Sequence, residues 1–74
     1  MIFVVTSCRE YADGERYFGC DGLFKTDDAA RKYIHNDMST TLDGCSDEAW
    51  VVGFEIHDGN DLYVWKLEPM EVIE

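Results

Sequence analysis

The chain has 74 residues, 46% hydrophobic and 14% aromatic, with 30% charged and a formal net charge of −10 at pH 7. That length holds one domain around one small core, and the supply of core-forming side chains excludes a disordered chain. Cys8, Cys20 and Cys45 are odd in number and form no CxxC pair, which argues against a disulfide framework and a zinc ribbon and for reduced thiols in the cytoplasm.

Near the start, "VTSC" (Val5 to Cys8) imitates the end of a lipoprotein signal, but no basic residue precedes it and the apolar run Ile2 to Val5 is too short for export. No run reaches transmembrane length, so the expectation is a soluble cytoplasmic protein without membrane contact. The β-branched and aromatic residues 2–6 suit a first buried strand. The polar segment 7–15 reads as a loop turning at Asp13-Gly14, and residues 16–24 as a second strand, with Gly19 and Gly22 marking a bulge or an early end to the pairing.

Thr26-Asp27-Asp28 is a helix start: the threonine hydroxyl can cap a free backbone amide, and the aspartates suit the positive end of the helix dipole. Ala30, Ile34 and Met38 recur at four-residue steps, with Tyr33 beside them, and form one apolar stripe. Asp37 projects into that stripe, which predicts fraying from Asn36; the alternative is an aspartate held near the surface for a purpose. Residues 39–49 lack a period and read as a connecting loop, with a short turn at Ser46 to Ala49.

From residue 50 the alternation is clear. Trp50, Val52, Phe54 and Ile56 alternate with Val51, Gly53, Glu55 and His57, and Tyr63, Trp65 and Leu67 repeat the pattern. A two-residue turn at Gly59-Asn60 would place Ile56 opposite Tyr63, Phe54 opposite Trp65 and Val52 opposite Leu67. The other face would collect His57 with Leu62, Glu55 with Val64, and Gly53 with Lys66. Pro69 should end the strand. Residues 70–74 then form a tail or a short edge strand. The prediction is a single α+β domain over 1–74, ordered ββαββ, with about four strands in one antiparallel-rich sheet and one helix on one face.

Chemistry is sparse. No GxGxxG, no GxxxxGK[ST] and no HExxH occurs, and Asp58 and Asn60 begin a calcium-loop pattern that fails at Leu62. Neither Cys8, Cys20, Cys45, His35 nor His57 has a neighbour at metal-motif spacing, so no metal or cofactor is expected. A nucleophile set of Cys45, His57 and Asp58 would need the imidazole to reach the thiol, and adjacent strand residues point apart. Cys20 reads as a small core residue and Cys45 as a loop thiol. The chain is therefore read as no enzyme.

The charge distribution carries the functional expectation. Residues 1–32 hold five bases and six acids, whereas residues 33–74 hold ten acids and only Lys66. Solubility is one explanation for such an excess. The sharper one is a negative field aimed at a basic partner surface, with acids two apart on a strand spaced about 6.6 Å, comparable with successive phosphates. Asp43, Asp47, Glu48, Asp58 and Asp61 are the candidate recognition residues, with Glu55 and the exposed anchors Tyr11 and Tyr17; Trp50 and Trp65 read as core.

In size and charge the chain resembles the small acidic proteins by which phages and mobile elements block host nucleic-acid enzymes, CRISPR nucleases included. That resemblance covers no motif, and implies a non-catalytic inhibitor or nucleic-acid mimic occupying the groove of a nucleic-acid-binding protein without itself binding nucleic acid. The alternative is a homodimer or adaptor that packs through the sheet face bearing Val51, Leu62 and Val64.

Overall fold

In a computed structural model describing residues 1–71, five strands and one helix form two layers. The elements are β1 (Ile2–Glu10), β2 (Arg16–Phe24), α1 (Asp27–Asp43), β3 (Trp50–Val52), β4 (Glu55–Asp58) and β5 (Asp61–Met70). The sheet is antiparallel throughout, in the order β2-β1-β5-β4-β3, so the strand that comes last in the chain is the central one.

β1 continues through Ser7 to Glu10, where a loop was expected, because it is paired on both sides. Cys8 lies between Phe18 and Val64, and Arg9 between Tyr17 and Tyr63. Backbone pairing holds this polar stretch extended, whatever its side chains. The register with β2 shifts between Val5 and Thr6: Val5 faces Gly22 and Thr6 faces Cys20, leaving Asp21 as the extra residue of the anticipated bulge. A Cβ at Gly22 would stand 3.1 Å from the Phe24 ring, so the missing side chain lets that ring fold back over the strand.

The helix begins as the sequence predicts. Thr26 is extended (φ −130, ψ 152) and its hydroxyl accepts from the Ala29 amide at 3.1 Å. The expected fraying at Asn36 does not occur: α1 runs on to Asp43, taking five residues from the expected loop. Asp37 is held by a partner on the sheet, since the Trp65 indole Nε1–H donates to its Oδ2 at 2.8 Å. The Thr40 and Thr41 hydroxyls donate back to the carbonyls of Asn36 and Asp37. Ala30, Ile34 and Met38 are buried against Val5, Ile56 and Trp65, and Phe3, Phe24, Phe54, Tyr63 and Leu67 pack around them.

The continuous strand expected over residues 50–57 is two strands. Gly53 takes a positive φ of 56 and, with Phe54, makes a two-residue turn between Val52 and Glu55. A positive φ at the first turn position followed by an ordinary second residue is the type II′ pattern, which suits a tight hairpin. Val51 consequently faces Ile56, on the helix side of the sheet rather than the opposite side. Gly59, with φ 61, makes a second turn of the same kind, and the expected pairs Ile56 with Tyr63, His57 with Leu62 and Glu55 with Val64 all form. The pairs proposed for Val52 with Leu67 and Gly53 with Lys66 do not, because the chain turns at Gly53-Phe54 and Val52 pairs with Glu55 instead. Phe54, a turn residue, keeps one link to β5, its carbonyl accepting from the Trp65 amide at 2.9 Å.

Pro69 does not stop β5, which pairs on to Met70. Amides two residues apart on a strand point the same way, so Pro69 shares the direction of the Trp65 amide, toward β4. β4 has already ended there, and the missing N–H forfeits no bond.

Candidate functional site

Three segments meet at one end of the sheet: the β1–β2 loop, the loop after α1, and the β4–β5 turn. Two aspartates join them. Asp61 Oδ1 accepts from the Ala12 amide at 2.8 Å, across 49 residues of sequence. Asp58 accepts from the Ser46 hydroxyl at 2.5 Å and from its amide at 3.2 Å. The Ser46 hydroxyl, followed by its amide, favours the ionised form of Asp58 and holds its carboxyl below the usual carboxylate value.

The loops are shaped locally. In the first, the Tyr11 amide donates to the Glu15 carbonyl and the Gly14 amide to the Tyr11 carbonyl, both at 2.9 Å, with Gly14 at φ 92. In the second, the Ala49 amide donates to the Ser46 carbonyl at 3.1 Å, the short turn expected there. Asp43, Asp47 and Glu48 are exposed. Asp43 closes a helix whose last turn contains no basic residue, so its charge adds to the negative end of the dipole. Asp13 and Glu15 reach the same end through the Ala12–Asp61 contact, an association that their place in the basic-balanced half of the sequence concealed. No lysine or arginine occurs within residues 11–15, 43–49 or 58–61.

The aromatic anchors have distinct settings. Tyr11 is half-buried between Tyr17 and Tyr63, edge to face with both at 5.7 and 6.1 Å between ring centroids. Tyr17 is exposed, and its hydroxyl donates to Glu15 at 2.8 Å, a bond that pushes the phenol pKa up. Trp65 is in the core as expected. Trp50 is not: it is 54% exposed, stacked on His57 with centroids 4.2 Å apart. Glu55 stands apart from the other acids, on the sheet face away from the helix, where Oε1 lies 3.2 Å from His57 Nε2. The acids are therefore presented by loops and not by one strand at regular two-residue spacing.

Cys45, His57 and Asp58 do not assemble into a nucleophile set. His57 lies on the open face against Trp50, whereas the Cys45 thiol donates to the Thr41 carbonyl at 3.3 Å. Burial pushes that thiol pKa up, and the nearby Asp58 carboxylate acts in the same direction, the reverse of what activates a cysteine. Cys20, expected in the core, is exposed. Among the described residues no group of three or more His, Cys, Asp or Glu is placed to hold a metal ion, and no helix is long and apolar enough to cross a membrane. Comparison of the chain with protein-family models, with curated proteins and with solved structures finds no match.

Proposed function

We propose that the protein is a non-catalytic binding module whose acidic loop end engages a basic groove on a nucleic-acid-binding protein, in the place that nucleic acid would occupy. The observation behind this reading is the meeting of three base-free segments at one end of the sheet, through Ala12–Asp61 and Ser46–Asp58. Ionised carboxylates gathered on loops set up a directed negative field, which speeds encounter with a positive surface. Loops mounted on a rigid sheet are also where recognition residues commonly lie.

Asp58 and Asp61 are both charges and tethers, so the informative variant leaves them intact and converts Asp43, Asp47 and Glu48 to Asn, Asn and Gln. These three are exposed, and their replacement should change stability by no more than about 0.5 kcal/mol. A partner recovered at low salt and lost at high salt is then tested for competition with its own nucleic acid. The expected result is displacement of nucleic acid by the wild-type protein, with the triple variant associating about tenfold more slowly and showing a shallower salt dependence. Equal association rates and equal salt slopes would reduce these acids to a solvated surface.

A further inference from the structure

The helix covers one face of the sheet, and the pairings define what lies on the other. One row across it reads Arg16, Glu10, Leu62, His57 and Trp50, from β2 to β3. The next reads Phe18, Cys8, Val64, Glu55 and Val52. Phe18 is 77% exposed, Leu23 65%, Met70 55%, Trp50 54% and Val52 52%, and all five lie on this face. Between Phe18 and Lys66 is a hollow of about 260 Å³, floored by Thr6, Cys8 and Val64. The face carries Arg16 and Lys66 against Glu10, Glu55 and Glu68, a formal −1 out of the chain's −10. Most of the charge that would drive copies apart is held elsewhere, and Lys66 and Glu68, two residues apart on β5, offset each other.

We infer that this open face is a homodimer interface, closed by a second copy of the chain about a two-fold axis lying along β5. β5 is the middle strand of five, so that axis sets β2 over the partner copy's β3 and β1 over its β4. The first row then complements itself: Arg16 meets Trp50, Glu10 meets His57, and Leu62 meets its own copy. In the second row the exposed Phe18 meets Val52, and Val64 meets its own copy. A guanidinium on an indole face and a carboxylate beside an imidazole are both favourable pairings, and a two-fold makes each twice. With only the four residues of β4 over β1 and the three of β3 over β2, the two copies overlap on roughly 400 Å² of projected sheet, at about 4.8 Å strand spacing and 3.4 Å rise. Side-chain relief raises the buried area above that projection, toward the lower edge of the ≈ 1,200–2,000 Å² total of specific interfaces.

Sedimentation equilibrium of the full chain tests this, at about 100 μM, a hundredfold above a micromolar dissociation constant. The expected mass is twice 8.5 kDa. Phe18→Glu, at a site outside the core, should keep the wild-type circular dichroism and sediment as a monomer; Trp50→Glu, on the opposite edge of the same face, should do the same. The triple variant at Asp43, Asp47 and Glu48 should remain dimeric, which separates this interface from the acidic end. A wild-type monomer at this concentration, or a dimer that survives both glutamate substitutions, overturns the proposal.

Discussion

Replacing Asp37 with alanine isolates the contact that joins the helix to the middle of the sheet. Trp65 is 3% exposed, and its indole N–H has Asp37 Oδ2 as acceptor at 2.8 Å. A hydrogen bond to a charged group contributes about 1.5–3 kcal/mol, and a buried donor left without a partner costs about 1–3 kcal/mol. Two effects act against this loss. Alanine is the better helix former by about 0.5–0.7 kcal/mol, and removing an acid from the second half of α1 relieves its dipole by a few tenths. The net expectation is a destabilisation of about 1–2 kcal/mol, which for a domain of this size lowers the melting temperature by roughly 5–15 °C. Asp37→Asn keeps an acceptor oxygen and should lose about half as much. Thermal melts followed by far-ultraviolet circular dichroism give each value, and a cycle with Trp65→Phe should return a coupling of about 1–2 kcal/mol between the two positions. An Asp37→Ala protein that melts at or above the wild-type temperature, or single effects that simply add, would show that the bond holds nothing.

Two other changes probe the turn and the tether. Gly53→Val should destabilise by about 1–2 kcal/mol or more, because a β-branched residue resists φ 56, while Gly53→Asn should cost less; nothing lies within 4 Å of a Cβ there, so the penalty is one of backbone and not of crowding. Urea unfolding of the pair measures the difference, and equal stability of the Val and Asn variants would remove the turn from the account. Ser46→Ala should raise the Asp58 midpoint toward the ordinary carboxylate value, read from the carboxyl carbon in an NMR titration. Because the folded-state pKa is lowered, the tether stabilises fully above about pH 4 and fades as the pH falls through the lowered value, so an unchanged midpoint in the variant contradicts the assignment.

The parts of the fold that were legible in the sequence rest on local chemistry. The Thr26 cap, the Ala30, Ile34 and Met38 stripe, the Gly59-Asn60 turn and the three pairs beside it follow from a few adjacent residues each. Position in the sheet was not legible, because strand order is set by which apolar faces meet. The length of β1 depended on β5 pairing with it from the far end of the chain. Gly53 sat inside an alternation that fitted one strand equally well, and the only signal for a turn was glycine itself, followed by a residue that needs no special conformation. Asp37 read as a misfit until a donor appeared 28 residues away. The candidate acids were legible as a charge excess, but the division of labour among them was not: Asp58 and Asp61 hold loops together, Glu55 faces the other side, and Asp13 and Glu15 join the group only through folding.

The central position of β5 also bears on how the molecule is made. Synthesis runs from the N-terminus at about 5–20 residues per second, and domains tend to fold as units once their contacts can close. Here the β1–β2 hairpin, the helix and the β3–β4 hairpin all leave the ribosome before the strand that lies between the two hairpins. Until then one edge of β1 stands unpaired, and the apolar stripe of α1 has only part of its covering. An unpaired edge beside uncovered apolar surface is what other chains and chaperones bind, so the interval before β5 arrives is when this protein is most exposed to mispairing. A message that pauses or ends before residue 61 would therefore yield a chain with two hairpins and no sheet to join them.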